Sequence, residues 1–336
     1  MSFLTQLAPR AKADFNDPND TAYGYTPSLV TTVPFVAVFG ALTILHAGLA
    51  VRYRYWSALG TMVTGGLLEV IGWAGRVWSS QNPHAFDPFI MQITCLIIGP
   101  VFFSAWDYTM LGACIARLGP QFAVLGAKWY LMVFIVADVV SLVLQAIGGG
   151  GASVAAQDGK DTSKSTNIMV AGILFQLAAT TIFAVLAADF MYRVVFNKPY
   201  AFRERQIARA HSKALAKQAE AAGGTELMPA SNESVLSTDP KDTAPADGAP
   251  AAPDAADIRG VQYLLGGVAV ATLLIVVRGV YRSIELLQGW NGYIITHEPY
   301  FIWLDGFPMI LCMTVLAVAY PGWLLSQTHA GALFRV

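Results

Sequence analysis

Long, continuous apolar runs alternate with short polar segments along most of the chain. Runs such as 36–45 and 131–144 are apolar at nearly every position, whereas a barrel strand alternates. Because a bilayer offers no water to backbone polar groups, such runs predict membrane-spanning helices. Seven stretches are long enough to cross about 30 Å of hydrocarbon. They are 28–51, 57–78, 88–116, 127–147, 167–193, 259–288 and 299–325.

This pattern predicts an all-α integral membrane protein built as a seven-transmembrane-helix bundle. Hydrophobic residues make up 55% of the 336 positions and charged residues 13%, about half the charge of a soluble domain. That composition excludes a disordered chain, a nucleic-acid binder and an ordinary cytosolic enzyme. The predicted parts are an outer tail (1–27), helices one to five (28–193), a cytosolic loop (194–257), helices six and seven (258–325) and a cytosolic tail (326–336).

The distribution of basic residues predicts which way the bundle faces. The connections after spans one, three and five, together with the C-terminal tail, hold twelve Lys and Arg residues, and the opposite side holds four. The positive-inside rule therefore places the N-terminus outside and the C-terminus in the cytosol. A glycosylation sequon, Asn19-Asp20-Thr21, lies in the tail predicted to be outside.

The predicted cytosolic loop contains two different segments. Arg205, Arg209, Lys213 and Lys217 are spaced four apart, so a helix would align them as one basic stripe. The stripe is either a flank that stops translocation or a surface helix that binds anionic lipid of the inner leaflet. The remainder is rich in Pro, Ala and Asp and is expected to be disordered.

Polar and charged residues inside the spans are the main functional candidates, because such groups are costly in lipid and usually face the bundle interior. The spacing of several candidates in spans two, four and six puts them on one helix face. The candidate binding residues are Glu69, Arg76, Asp107, Asp138, Gln145, Gln176, Arg278, Arg282, Glu285, Glu298 and Asp305.

These candidates separate by their predicted depth in the membrane. The three arginines lie in the outer half and match three outer carboxylates, those of Glu285, Glu298 and Asp305, in number. Simple pairing that fixes helix packing is therefore one interpretation. Glu69 and Asp138 lie near the midplane without a cation at their depth. Such carboxyls must be protonated, hydrated or paired with a cationic ligand.

An ordered series of motifs makes the chain resemble the fungal lipid-translocating exporter family, which includes sphingoid long-chain-base exporters and proteins that confer resistance to 7-aminocholesterol. The motifs that carry the resemblance are Tyr23–Ser28, Glu69–Arg76, Gly99-Pro100, Ala105–Tyr108, Asp138-x2-Ser141-x3-Gln145, Gly148–Gly150, Gly172 with Gln176, Arg278-x3-Arg282-x2-Glu285, Glu298, Asp305 and Pro321-Gly322. The resemblance covers about residues 23–325. It implies a seven-helix plasma-membrane protein that moves amphipathic lipids.

Transport of a cationic amphiphile, such as a sphingoid long-chain base, is the leading functional hypothesis. The midplane carboxylates could hold an ammonium headgroup while the tail stays in lipid. The sequence lacks a phosphate-binding loop, so we expect no direct use of ATP, no cofactor and no nucleic-acid partner.

Two other classes of function stay open at this point. A heptahelical lipid sensor would confer resistance indirectly. A membrane-embedded hydrolase finds little support, because His46 is the one histidine inside a predicted span and no serine-hydrolase motif is present. We therefore expect that the protein is not an enzyme.

Overall fold

The computed structural model describes residues 23–158, 160–221, 255–289 and 292–324, and these residues form helices joined by turns. The N-terminal residues 1–22, the loop residues 222–254 and the C-terminal residues 325–336 lie outside the described part, so the expectations for the tails and for disorder in the loop stay untested. The helices are α1 Leu29–Tyr53, α2 Thr64–Gln81, α3 Phe86–Leu118, α4 Ala127–Gln157, α5 Ser163–Val195, α6 Ala201–Ala221, α7 Ala255–Leu287, α8 Glu298–Phe301, α9 Phe307–Val318 and α10 Pro321–Leu324.

Six helical segments are long and apolar enough to cross a membrane, so the chain is a multi-pass, all-helical membrane protein in its described part. They are Leu29–Tyr53, Phe86–Leu118, Ala127–Ala155, Ser163–Val195, Arg259–Leu287 and Glu298–Leu324, which correspond to predicted spans one and three to seven. Predicted span two coincides with a π-helical turn, Leu59–Val63, and with α2. Its glycines and buried charges make α2 too polar to join the six.

Helix α4 runs well beyond 147, where the sequence pattern predicted its end. The glycines after that point do not terminate the helix but let α4 and α5 approach closely. A Cβ on Gly148 would lie 2.3 Å from the backbone nitrogen of Met169, and one on Gly151 would lie 2.7 Å from Ser165 Oγ. Small residues that bring helix backbones together are typical of membrane interfaces.

The helices pack around α3 and α7. Helix α2 packs along α3, α4 along α5, and α7 contacts α3, α5 and α9. Large side chains such as Trp73, Trp106 and Phe103 fill the interior. Helix α4 presents an apolar outer face that suits lipid, formed by Met132, Val133, Val136, Val139, Val140, Val143 and Ile147.

The two ends of the bundle differ in composition. At the tyrosine end, Tyr23 and Tyr25 contact the end of α2 and the start of α3. At the opposite, basic end, α6 begins against the connection between α3 and α4, where Arg203 Nη2 donates to the carbonyl of Val124 at 2.8 Å. The predicted basic stripe is helical, and its four side chains are exposed.

The close contact between α4 and α5 generates a test. We expect Gly148→Ala to lower the melting temperature in detergent by several degrees, because the new methyl group must push the α5 backbone away, and such overpacking costs roughly 1–3 kcal/mol. Gly150→Ala is the matched control, since a Cβ there meets nothing within 4 Å. Unfolding can be followed by labelling of the buried thiols Cys114 and Cys312. Equal melting temperatures for the two variants would contradict this packing.

Candidate functional site

Most candidate residues from the sequence lie inside the bundle. Glu69, Arg76, Asp107, Asp138, Gln145, Arg278, Arg282, Glu285 and Asp305 are each at most 5% exposed. Glu298 and Gln176 are partly buried. Because lipid cannot hydrate such groups, the partner of each one decides what it can do.

Asp305 joins two arginines of α7. Arg282 forms a two-pronged contact with it, with Nε 2.6 Å from Oδ1 and Nη2 2.8 Å from Oδ2. Arg282 Nη1 also donates to Glu285 Oε2 at 2.8 Å, and the Tyr281 hydroxyl donates to the other oxygen of Glu285. A π-helical turn, Ile302–Gly306, carries Asp305 into this position. π-Helical turns recur at functional sites.

Arg278 links this junction to α3 near Pro100. Its Nε lies 2.9 Å from Asp305 Oδ1, and its Nη2 donates to the backbone carbonyl of Leu96. Leu96 is four residues before Pro100, which has no N–H to donate to that carbonyl. The guanidinium of α7 therefore supplies the donor that the proline in α3 lacks.

Arg76 forms a fourth ion pair, nearer the tyrosine end. Its Nη2 lies 3.0 Å from Glu298 Oε1 and donates to the Tyr25 hydroxyl at 2.7 Å. The guanidinium also lies 4.5 Å from the centre of the Phe301 ring, within cation–π distance. The three arginines thus pair with the three outer carboxylates, as their equal numbers predicted.

The N-terminal segment closes over this network and was not identified as part of the site from the sequence. The Tyr23 hydroxyl donates to Gln92 Oε1 at 2.8 Å and lies 2.9 Å from Ser79 Oγ. Burial raises the pKa of Tyr23 to about 12, so its hydroxyl is a neutral donor at physiological pH. The motif Tyr23-Gly24-Tyr25 was the available signal.

Three other carboxyl groups make no ion pair within the described residues. Glu69 has one buried oxygen, Oε1, without a hydrogen bond, and Asp107 has Oδ1 in the same state. The other oxygen of Asp107 accepts a hydrogen bond from Thr272 at 2.9 Å. Both oxygens of Asp138 are buried without a hydrogen bond. The sequence predicted no cation at the depth of Glu69 and Asp138; neither forms an ion pair with the described residues, although Arg278 and Arg282 are near enough to interact electrostatically with Glu69.

Asp138 lies beside three hydroxyl side chains. We call these four residues the Asp138 cluster: Asp138, Tyr108, Ser104 and Thr180. The Tyr108 hydroxyl points toward the other three side chains. However, Tyr108 Oη, Ser104 Oγ and both Asp138 oxygens all lack a hydrogen bond to the described residues. The sequence analysis missed Tyr108 and Ser104, because a tyrosine and a serine within an apolar span give no charge signal.

Two glutamines connect α4 with α5. Gln145 Nε2 donates to Gln176 Oε1 at 2.8 Å, so the pair bridges the helices. Gln145 Oε1 is buried without a partner among the described residues. The described residues contain no group of three His, Cys, Asp or Glu side chains arranged to hold a metal.

The helices and their charged interior define a multi-pass membrane protein. Its described interior contains arginines paired with carboxylates and, separately, carboxyl groups that make no ion pair. The chain belongs to the RTA1-like family, whose model, described as "RTA1 like protein", matches residues 62–328. This result confirms the family resemblance found in the motifs.

Relatives from Saccharomyces cerevisiae span most of the chain. The sphingoid long-chain base transporter RSB1 is 33% identical over 323 residues, which cover 95% of this chain and 78% of the relative. Protein RTA1 is 23% identical over 324 residues, covering 89% and 84%. Protoporphyrin uptake protein 1 is 24% identical over 333 residues, covering 88% and 90%. No solved structure matches the chain.

The shared role of Asp305 can be tested by removing its charge. We expect Asp305→Asn to destabilise the protein by about 3–5 kcal/mol, because it leaves the buried Arg278 without its carboxylate and Arg282 with Glu285 alone. The measurement is the melting temperature of the purified protein.

Asp189→Asn serves as the control for this test. It breaks the Arg193–Asp189 pair, in which the side chains are 24% and 30% exposed and solvent screens the charges. We expect a clearly smaller loss in this variant. A loss for Asp305→Asn no larger than that of the control would show that the junction does not hold the helices together.

Proposed function

We propose that the chain is a transporter of amphipathic lipids whose cargo is a sphingoid long-chain base or a similar cationic amphiphile. The observation that carries this proposal is the surplus of buried carboxyl groups without an ion pair: Glu69, Asp107 and Asp138. The name of a relative, the sphingoid long-chain base transporter of yeast, supports the choice of cargo.

The arginine network explains why these carboxyls remain free for a ligand. The charges of Arg76, Arg278 and Arg282 are neutralised by ion pairs with Glu298, Glu285 and Asp305. A buried carboxylate without a cation is unfavourable in a low-dielectric interior, so it gains most from a cationic partner. An ammonium headgroup supplies this charge and three N–H donors, while its alkyl chain stays in lipid.

The other candidate residues form the surroundings of this site. Arg76, Arg282 and Glu285 line a cavity at the tyrosine end, which we call the vestibule. Gln145, Gln176, Arg278 and Arg282 line a groove deeper in the bundle. Glu298 and Asp305 hold the arginines in place. We propose that all eleven residues contribute to cargo binding, either directly or by positioning these walls.

The proposed transport does not use ATP directly, and no enzymatic step is part of it. Energy would come from downhill movement of the cargo or from protons carried by Glu69 or Asp138. The alternative of a lipid sensor has less support, because named relatives are a transporter and an uptake protein.

We further propose seven spans with the N-terminus outside, in the plasma membrane. The segment from Leu59 to Gln81 supplies the seventh span, since its 23 residues reach about 34 Å at 1.5 Å per residue. Its polar groups face neighbouring helices instead of lipid. On this orientation the basic end is cytosolic, and the exposed stripe of α6 would contact anionic lipid of the inner leaflet.

Reconstitution tests the proposed function. In sealed liposomes we expect the protein to accelerate transbilayer movement of a fluorescent sphingoid base but not of a phospholipid with the same label. The double variant Glu69→Gln/Asp138→Asn should abolish most of this movement, because it removes the negative charges that favour the ammonium group. Runs with and without a proton gradient separate coupled from downhill transport.

An exposed acid provides the control variant for the flux assay. Asp87→Asn makes the same chemical change at the solvent-exposed start of α3 and should move the cargo at the wild-type rate. Wild-type flux in a correctly inserted double variant would refute the acidic headgroup site. No flux in the wild-type protein would refute transport.

Glycosylation tests the proposed orientation. In a eukaryotic host we expect Asn19 to carry a glycan, because the outer tail passes through the lumen where the transferase acts. Enzymatic deglycosylation should increase the gel mobility of the wild type but leave Asn19→Gln unchanged. Asn232→Gln, at a sequon on the proposed cytosolic side, should behave like the wild type. A mobility shift that is lost in Asn232→Gln instead would reverse the orientation.

A further inference from the structure

A groove in the middle of the bundle lies between α3, α5 and α7. Apolar side chains of α5 and α7 form its walls, and Gln145 and Gln176 provide polar contacts. Both helices carry exposed apolar residues near this position, such as Phe175 and Val277, as expected for a surface in contact with lipid. The groove is therefore suited to hold an alkyl chain beside a polar group.

The groove adjoins the vestibule at the tyrosine end. Ile97 and Arg282 line both cavities. The vestibule reaches the N-terminal segment, because Tyr23 and Tyr25 also line it. The two adjoining cavities define the proposed route from the middle of the bundle to its tyrosine end.

The Asp138 cluster lies beside this route. Thr180 lines the groove, and its side chain also faces the Tyr108 hydroxyl. Tyr108, in turn, faces Asp138 and Ser104. All four side chains are at most 3% exposed, so the cluster is enclosed by protein. Thr180 thus stands between the groove and the unpaired carboxyl of Asp138.

The chemistry of the cluster selects one kind of headgroup. The Asp138 oxygens and the Ser104 and Tyr108 hydroxyls face one another but make no hydrogen bond of normal geometry with the described residues, so each can still accept a better-placed partner. A primary ammonium supplies three donors, and a hydroxyl beside it both donates and accepts. A buried donor or acceptor that makes no hydrogen bond costs free energy of binding. A site of this kind therefore binds ligands without the hydroxyl more weakly.

We infer that the Asp138 cluster is the headgroup site for a long-chain amino alcohol, whose alkyl chain lies in the groove. The ammonium group binds Asp138, and the adjacent hydroxyl binds Tyr108 and Ser104. This inference rests on the proposed function for the class of cargo, but binding at the cluster can be measured without transport.

The first experiment measures binding to the full-length protein in nanodiscs. Three probes share one alkyl chain: a 2-amino-1,3-diol, the primary amine without hydroxyls, and the fatty alcohol. We expect affinity to fall about 2- to 10-fold from the amino diol to the amine, as one neutral hydrogen bond is lost. The fatty alcohol should bind more weakly still. This order needs no variant, so it does not depend on the folding of a mutant.

Variants assign the two parts of the headgroup. Asp138→Asn should weaken binding of the amino diol about 10-fold or more, because a charged hydrogen bond is lost. The control Asp87→Asn should bind as the wild type does. Tyr108→Phe and Ser104→Ala should bring the amino diol and the amine to similar affinities, while Tyr263→Phe, at an exposed tyrosine on α7, should keep the difference.

Two neighbouring threonines test whether the groove leads to the Asp138 cluster. Thr180 faces the interior, whereas its neighbour Thr181 is exposed and bonds the carbonyl of Leu177 in its own helix. We expect Thr180→Val to weaken binding of the amino diol and Thr181→Val to leave it unchanged. A photoreactive amino diol with its reactive group on the alkyl chain should label peptides that contain Ile173–Thr180 and Ile275–Gly279, which line the groove.

The outcomes separate this inference from the proposed function. Binding with the expected order and without flux in liposomes would support the site and refute transport. Flux that Asp138→Asn does not slow, together with equal binding of the amino diol and the amine, would refute the site and leave transport standing. Labelling confined to peptides outside α3, α4, α5 and α7 would also overturn the inference.

Discussion

The contact between Arg278, Asp305 and the α3 backbone at Leu96 is the constraint on which the interior depends. Lipid cannot hydrate an unpaired carbonyl or guanidinium, so each must find its partner within the protein. Pro100 leaves the Leu96 carbonyl without its helical donor, and Arg278 replaces that donor from α7. Asp305 then neutralises Arg278 and holds Arg282 as well. One junction thus fixes α3, α7 and the last span relative to one another.

This junction also determines what the remaining polar groups can do. With three arginines matched by three carboxylates, the outer network is electrically balanced and has little charge left for a ligand. The carboxyl groups that make no ion pair with the described residues lie elsewhere, at Glu69, Asp107 and the Asp138 cluster. A protein under selection for stability alone would gain by replacing such groups with apolar ones. Their burial without a counter-charge is the feature on which the proposed cargo site rests.

Periodicity and charge predicted a large part of this picture, for reasons that are local in the sequence. Continuous apolar runs defined six helices, and equal numbers of Arg and carboxylate residues anticipated the network. The partners themselves depend on tertiary structure: the π-helical turn that turns Asp305 inward and the free carbonyl before Pro100 have no one-dimensional signature. Helix α4 extends beyond the predicted end of its span at 147, because Gly148 makes a close contact with α5 that the one-dimensional pattern does not show. Tyr108 and Ser104 were missed because neither carries a charge.

The balance of charges also bears on which lipids the route can accept. A cationic headgroup that moves from the vestibule to the Asp138 cluster passes Arg282 and Arg278, whose charges are neutralised by Glu285 and Asp305. On the proposed route it would therefore meet no unpaired positive charge on the way and would reach a carboxyl that makes no ion pair with the described residues. A phosphorylated headgroup would bring negative charge next to Asp138, where low dielectric strengthens repulsion. If Asp138 binds the headgroup as proposed, selectivity between an amine and its phosphate would follow from which carboxyl groups the arginines do not neutralise.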